Sequence, residues 1–248
     1  EKKNAMNPTM HYEIREMLSE LSEEDETRVL ILTGAGDAFC GGQDLKEFFA
    51  DTHDKPFEAE KVAKAAMDWG DMLRVFPKPT VASVNGWTFG GGLRVMCSCD
   101  LAIASEKAVF GLSEINFGLF PSGGSTKLPA ELLSHRDFLY MALTGEQIDA
   151  ATADRWRLVN RVVPHDKLKE ETLALAQKLA KKNPIAVRLA KEVFWASKEM
   201  PYTQCVSWEI AKMAQLECLQ KGEWAHKGID KFLKGEYRPG FESYLDKA

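Results

Sequence analysis

The segment 80–92 reads TVASVNGWTFGGG, so that a strand pattern runs directly into a glycine-rich turn. The run from Thr80 to Val84 predicts a strand, and Asn85-Gly86 predicts its end. The glycines at 90–92 permit positive φ and let a ligand approach the backbone closely. A buried helix follows from Leu93, and its start offers free N–H groups that suit an anion. Because GxGxxG and GK[ST] patterns are missing, a nucleotide loop is the weaker alternative, beside a turn that only packs.

A second glycine turn, AFCGGQDLK at 38–46, follows the apolar run Val29–Thr33. That run is typical of a strand buried on both faces. The turn could present the backbone N–H of Gln43 as a second donor. Two N–H groups that converge on one oxygen form an oxyanion hole, which stabilises an enolate or a tetrahedral anion. Taken alone, such a turn is more often purely structural.

A third element, FGLSEINFG at 110–118, places Glu114 in an apolar setting between a strand and a turn. Burial disfavours the carboxylate and raises its pKa, which suits a general acid/base. In isolation, a paired or capping glutamate is the alternative interpretation. The turn PSGGST at 121–126 follows, and Ser122 there adds a hydroxyl group before a helix.

The remaining sequence predicts an α/β protein, because strands, turns and helices alternate in the first half and the last third is helical. We place an α/β core at 1–185 and a helical lobe at 186–248. Two more short strands are predicted at Asp100–Ala104 and Ala108–Phe110. Residues 51–60 are polar and predict a mobile loop. Helices are predicted at 10–21, 61–75, 126–143, 146–158, 167–181, 185–199, 203–219 and 224–233.

Composition narrows the class of protein. The chain has 248 residues, 45% of them hydrophobic, and a net charge of -5, which argues against a nucleic-acid partner. No stretch approaches the about 20 apolar residues of a membrane span, and no signal-peptide pattern opens the chain. The five cysteines form no spaced framework. We therefore expect reduced thiols that fill apolar space, and a cytoplasmic location. The histidines show no metal-ligand spacing, so we expect no metal.

Together, the two glycine turns and the Glu114 segment resemble the crotonase (enoyl-CoA hydratase/isomerase) superfamily over nearly the whole chain. The resemblance implies a spiral of ββα units with a helical C-terminal trimerisation lobe, and a homotrimer or homohexamer. It also implies acyl-CoA thioester substrates and no cofactor. By position, the oxyanion donors would be the N–H groups of Gln43 and Gly91, and Glu114 would be the acid/base.

Within the superfamily the chain is most similar to hydroxycinnamoyl-CoA (feruloyl-CoA) hydratase-lyases, through GQDLKEFF at 42–49, VNGWTFGGG at 84–92, CDLAIA at 99–104 and FGLSEIN at 110–116. Such enzymes hydrate an aromatic enoyl-CoA and cleave the product to an aromatic aldehyde and acetyl-CoA, with one of the two hydratase glutamates missing. This chain departs from them twice. Arg94 stands where they carry a small hydroxyl residue, and Ile210 stands where a tyrosine holds the phenol.

The resemblance further implies substrate contacts along the cleft. The CoA adenine would lie near 38–46, which includes Ala38, Asp44 and Leu45, and Phe232 could close over it. Gly90, Phe117, Ser122, Trp208 and Ile210 are the other expected contacts. Arg94 could hold water, pair with Glu114 and lower its pKa, or point away into a polar network. Alternatives are a plain enoyl-CoA hydratase or isomerase for aliphatic chains, and a non-catalytic member that binds CoA or RNA.

Overall fold

The structure is a computed structural model that describes residues 2–240, 243 and 245. Its α-helices are α1 Pro8–Glu23, α2 Pro56–Arg74, α3 Gly91–Ser98, α4 Lys127–Leu132, α5 His135–Thr144, α6 Ala150–Arg155, α7 Leu168–Ala180, α8 Pro184–Ser197, α9 Tyr202–Gln220 and α10 Asp230–Leu233. Short π- or 3₁₀-helical segments lie at Leu45–Ala50, Ser113–Phe117, His165–Lys167 and Trp224–Ile229.

The strands are short. They are β1 Leu30–Thr33, β2 Ala38–Cys40, β3 Thr80–Val84, β4 Trp87–Phe89, β5 Leu101–Ser105, β6 Val109–Gly111, β7 Ile148–Asp149 and β8 Arg161–Val163. They form two four-stranded sheets with the orders β1-β3-β5-β8 and β2-β4-β6-β7. Every pairing is parallel except that of β6 with β7.

The chain builds both sheets together as a spiral. The strand pairs β1/β2, β3/β4 and β5/β6 each place one strand in each sheet, and helices follow each pair. The strands of successive turns of the spiral pair with each other: Leu30 of β1 pairs with Thr80 of β3, and Val81 of β3 pairs with Leu101 of β5. This confirms the predicted α/β spiral of ββα units. The turns after β2, β4 and β6 consequently stack beside one another.

The core lies between the sheets and the helices that pack on them. All residues of β3 are buried, as expected for a central parallel strand. Helix α3 is buried from Gly92 to Ser98, because it is surrounded by other elements on all sides. Cys40, Cys97 and Cys99 lie in this core as free thiols, which confirms their predicted role as apolar fillers. That prediction was wrong for Cys205, which is half-buried, and for Cys218, which is exposed. No helix among the described residues is long and apolar enough to cross a membrane.

Several predicted boundaries were wrong. Residues 51–60 are not all loop, because α2 begins at Pro56, which is well suited to a first helical turn. The predicted helix 126–143 is two helices, since Ser134 starts a new one by accepting a hydrogen bond from the Asp137 N–H. The predicted helix 146–158 contains strand β7 before α6. The three-residue strands β2, β4 and β8 were missed.

The predicted boundary between residues 185 and 186 falls inside α8, and no division of the chain there is established. The buried apolar core does end close by, since Leu189 is its last member among the described residues. Helix α9 packs on α8 but buries only Gln220. Large apolar side chains of this region remain exposed, among them Tyr202, Ile210, Met213, Phe232 and Leu233.

Candidate active site

One cleft of about 820 Å³ lies at the turns that follow β2, β4 and β6. The predicted site residues that line it are Gln43, Asp44, Leu45, Gly90, Gly91, Arg94, Glu114, Phe117 and Ser122. Its wall is otherwise mainly aromatic and aliphatic, with Phe48, Phe49, Met67, Trp87, Phe89, Leu119 and Phe120. The structure thus brings the three sequence elements to one place.

The backbone N–H groups of Gln43 and Gly91 are both available in this cleft. A parallel bridge pairs Gln43 with Met6, but its bonds use the neighbouring peptide groups of residues 42 and 44. Neither the N–H of Gln43 nor that of Gly91 donates to any residue that the structure describes. Buried or half-buried N–H groups are rarely left unpaired. Both groups are therefore free to donate to a ligand oxygen.

Glycine conformation brings the two turns together. Gly42 has φ +100°, and a Cβ there would lie 3.0 Å from the Phe89 carbonyl oxygen and 3.5 Å from the Gly91 nitrogen. The backbones of residues 42 and 91 are therefore in contact. Asp44 stabilises the first turn, since its Oδ1 accepts from the N–H groups of Lys46 and Glu47.

Glu114 lies directly against the second turn. It is in the 3₁₀ segment after β6, and a Cβ on Gly90 would lie 2.9 Å from its Oε1. Gly90 has φ +49°, so a side chain there would be strained as well as blocked. Glu114 Oε2 is buried and accepts no hydrogen bond from the described residues. Burial raises the pKa of Glu114 above its ordinary value.

A second carboxylate, Asp44, also borders the cleft, but the fold already uses it. Its Oδ2 forms an ion pair with Lys2 at 2.7 Å, and its Oδ1 caps the following turn. The hydrogen bond from Lys2 holds the pKa of Asp44 below its ordinary value. Glu114 is therefore the cleft carboxylate, among the described residues, that is available for proton transfer.

Arg94 points away from Glu114. Its guanidinium donates to the carbonyl oxygens of Ala66 at 3.2 Å and Met67 at 3.5 Å, both in α2. No carboxylate of the described residues forms an ion pair with it. Arg94 is only 5% exposed. Of the three predicted possibilities for Arg94, the geometry fits a polar contact that leaves Glu114 unpaired.

Four predicted contact residues are not in the lining of this cleft. Ala38 is buried in β2, where its carbonyl oxygen accepts from the side-chain amides of Asn4 and Asn85. Trp208 and Ile210 belong to α9, and Phe232 belongs to α10. Their contacts with a substrate stay predictions.

The sequence analysis missed other residues at the cleft. Ser125 is buried in its lining, and its hydroxyl has no partner among the described residues. His11 is fully buried behind Gln43 and hydrogen-bonds its side chain. A hydroxyl in the turn 121–126 was signalled by sequence, whereas His11 is 32 residues from its partner and gave no signal.

No cluster of His, Cys, Asp or Glu that could hold a metal ion occurs in residues 2–240, 243 and 245. The site instead combines two free backbone donors with one carboxylic acid whose pKa is raised. Such a site can hold a developing oxyanion and move a proton next to it.

Comparison with known proteins agrees with the family resemblance that the sequence motifs indicated. The enoyl-CoA hydratase/isomerase family model matches residues 1–242. Hydroxycinnamoyl-CoA hydratase-lyase of Pseudomonas fluorescens is 39% identical over 98% of this chain and 90% of its own length. Mevalonyl-coenzyme A hydratase sidH of Aspergillus fumigatus is 32% identical, over 96% of this chain and 88% of its own.

Structural comparison extends the match to the fold. An enoyl-CoA hydratase from Mycobacterium smegmatis superposes with a TM-score of 0.87 at 30% identity, covering 97% of this chain and 91% of that one. Members of this family act on acyl-CoA thioesters. The chain has the spiral fold, two free N–H donors side by side and a family match over nearly all residues. It therefore belongs to the enoyl-CoA hydratase/isomerase, or crotonase, family.

Proposed function

We propose that this chain hydrates a hydroxycinnamoyl-type enoyl-CoA and then cleaves the product to an aromatic aldehyde and acetyl-CoA. One observation carries the proposal: among the described residues of the cleft, Glu114 is the carboxyl group that is not held in an ion pair, and it lies beside two free backbone donors. The 39% identity to a hydroxycinnamoyl-CoA hydratase-lyase supports it. Membership of the family itself makes the chain an enoyl-CoA hydratase-type enzyme.

In the first reaction, the thioester oxygen accepts hydrogen bonds from the N–H groups of Gln43 and Gly91. This polarises the conjugated double bond, so that water adds at the β carbon. The Glu114 carboxylate takes one proton from that water. The resulting carboxylic acid then protonates the α carbon, which yields the β-hydroxyacyl thioester and restores the carboxylate.

In the second reaction, the Glu114 carboxylate takes the proton of the new β-hydroxyl group. The Cα–Cβ bond breaks, its electron pair passes to the thioester enolate, and the aldehyde leaves. The same two N–H groups hold that enolate oxygen. Glu114 then protonates the α carbon and gives acetyl-CoA. One acid/base serves both reactions, which fits a cleft with a single free carboxyl group among the residues that the structure describes.

The aromatic acyl group is supported by the wall of the cleft. Phe48, Phe49, Phe117 and Phe120 contribute rings, and a flat acyl group can pack on such rings by stacking or edge contact. The charged residues of the lining are Lys2, Lys3, Lys46, Arg94, Asp44 and Glu114, and the lysines lie on the side of residues 2–46, where the CoA adenine is expected.

A plain hydratase or isomerase for aliphatic chains is the second candidate. Ile210 favours it, because an isoleucine cannot hydrogen-bond a phenol as a tyrosine can. An isomerase also needs only one acid/base to move a proton along the acyl chain. The products separate the two candidates, since a hydratase stops at the β-hydroxyacyl thioester.

The test is product analysis with feruloyl-CoA, with crotonyl-CoA run in parallel. We expect vanillin and acetyl-CoA in equal amounts from feruloyl-CoA. Hydration of crotonyl-CoA while feruloyl-CoA remains unchanged would overturn the proposed cleavage and support the second candidate.

We further propose that the chain assembles as a homotrimer or homohexamer through its C-terminal helices. Helix α9 leaves Tyr202 84% and Ile210 68% exposed, and Leu233 of α10 is 75% exposed. Contiguous exposed apolar surface is typical of an interface. Light scattering should give at least three times the 27.8 kDa chain mass. Cytoplasmic location and the absence of a cofactor or nucleic-acid partner stay predictions.

A further inference from the structure

A chain of three buried side chains leads from the core to the cleft. The ring of His11, on α1, is fully buried between Trp69 of α2 and Gln43. The Trp69 Nε1–H donates to His11 Nδ1 at 2.9 Å. An indole N–H can only donate, so Nδ1 must be the acceptor. Burial, and to a smaller extent the positive charge of Arg94, lower the pKa of His11, which favours the neutral ring.

The tautomer of His11 decides how the Gln43 amide is turned. With Nδ1 accepting, the single ring proton lies on Nε2, which donates to Gln43 Oε1 at 2.8 Å. The two ends of a glutamine amide are normally hard to tell apart, but here the tryptophan fixes the whole series. The amide oxygen faces His11, and the amide NH₂ group must face the other way.

That NH₂ group lies close to Gly91, whose backbone N–H is one of the two proposed oxyanion donors. A Cβ on Gly91 would be 3.4 Å from Gln43 Nε2. Gln43 lines the cleft, and its Nε2 donates to no residue that the structure describes. The free amide donor therefore lies beside the free backbone N–H groups of Gln43 and Gly91.

We propose that the Gln43 carboxamide is a third hydrogen-bond donor to the thioester oxygen, and that His11 and Trp69 are its positioning residues. Donors that are fixed before the reaction stabilise developing charge without reorganisation, and this series of bonds supplies that fixation. Only the neutral His11 can complete it, because a second ring proton on Nδ1 would oppose the Trp69 N–H. The inference rests on the thioester placement in the proposed function but not on the identity of the acyl group.

The test uses a double-mutant cycle on enoyl-CoA hydration. Gln43→Met keeps the length of the side chain and the backbone N–H but removes the amide donor. We expect kcat to fall about tenfold, with a smaller change in KM. His11→Asn should give a comparable loss in the wild-type background and almost none in the Gln43→Met background. Circular dichroism and thermal melts verify that each variant is folded.

Two results would overturn the inference. One is a kcat for Gln43→Met within twofold of the wild type. The other is an equal loss from His11→Asn in both backgrounds, which would mean that His11 only stabilises the fold. Should His11→Asn not fold, Trp69→Phe takes its place in the cycle, because it removes the indole donor while it keeps an aromatic ring in the core.

The cycle is run with crotonyl-CoA as well as feruloyl-CoA. If crotonyl-CoA is hydrated but feruloyl-CoA gives no vanillin, the proposed cleavage fails while the cycle still decides the role of Gln43. A binding measurement with acetoacetyl-CoA, whose enolate carries charge on the same oxygen, gives a readout without turnover. We expect Gln43→Met to weaken that binding about tenfold, and unchanged binding would contradict the inference.

Discussion

The cleft and helix α9 differ in how far one chain completes them. Around the cleft, Val84, Phe110 and Leu112 are fully buried, and every predicted reacting group is oriented by contacts within the same chain. On α9, Tyr202 and Ile210 are largely exposed and a polar residue, Gln220, is the buried one. The proposed proton transfer and oxyanion stabilisation therefore draw on groups that this chain itself supplies. The exposed surface around Ile210 is the face that we propose for assembly.

The largest expected effect lies at the centre of the cleft. Glu114→Gln keeps the shape of the side chain but removes its proton transfer, which is typically a contribution of about 10²–10⁴-fold. We expect kcat to fall by at least about 10³-fold while the fold is retained. Glu20→Gln, at an exposed position of α1, is the matched control and should leave kcat unchanged. Substantial activity in Glu114→Gln would show that the acid/base lies elsewhere.

Gly90→Ala tests how closely the turn fits Glu114. The new Cβ would adopt φ +49° and approach Glu114 Oε1 to 2.9 Å. We expect unfolding free energy to fall by about 1–3 kcal/mol from backbone strain, and kcat/KM to fall as well. Gly36→Ala is the control, because it has φ +70° but no neighbour within 4 Å of its Cβ. Equal loss of activity in both variants would contradict the close contact.

The raised pKa of Glu114 makes stability depend on pH. Because the folded state favours the protonated form, Glu114 contributes stability below its ordinary pKa of 4.5, and that contribution is lost as pH rises through the raised value. Glu114→Gln lacks this loss. The difference in unfolding free energy, variant minus wild type, should therefore increase with pH above 4.5. Chemical denaturation of both proteins at several pH values measures it, and a constant difference would mean that the pKa is not raised.

Arg94→Met examines the boundary of the cleft. The guanidinium is buried without forming an ion pair with any described carboxylate, so an apolar side chain of similar length should raise the unfolding free energy by about 1 kcal/mol. We expect kcat to fall by less than about tenfold, because Arg94 does not contact Glu114. Arg15→Met, at an exposed position, should change stability by less than about 0.5 kcal/mol. A loss of kcat comparable to that of Glu114→Gln would assign Arg94 a direct catalytic role.

The smallest effect on the fold is expected on α9. Ile210→Asp should leave the secondary structure unchanged. It should change the unfolding free energy of an isolated chain by less than about 0.5 kcal/mol, since the side chain is exposed. It should nevertheless lower the mass in solution, because a buried charge opposes association. Gln204→Asp on the same helix is the control. An unchanged mass for Ile210→Asp would remove this face from the assembly.

Much of the cleft could be predicted because its signals are local. The run Thr80–Val84 is a strand with those bounds, and each glycine turn lies where a strand ends. The Ser134 cap was a missed local signal, since a serine followed by an aspartate three residues later is typical of a helix start. The strands β2 and β4 lacked one, because three residues between glycines show no periodicity.

Other features could not be predicted from this sequence by local patterns. Gln43 and Trp69 lie 32 and 58 residues after His11 in the chain. The three residues meet only because α1 packs on α2 beside the first glycine turn. Arg94 likewise offered several orientations until α2 supplied its acceptors. Contacts of this kind depend on how the elements pack in three dimensions. The sequence of one element does not indicate which other element it will contact.

The distribution of thiols offers a practical means of probing α9 by chemical labelling. Burial raises the pKa of Cys40 to about 11 and that of Cys99 to about 12, and it raises that of Cys97 as well, so alkylating reagents should spare these three. Cys205 and Cys218 both lie on α9, where Cys218 is exposed and Cys205 is half-buried. A maleimide fluorophore added to the unmodified protein would thus be attached to this helix without any engineered cysteine. Its emission would then report the environment of α9 and leave the cleft unaltered.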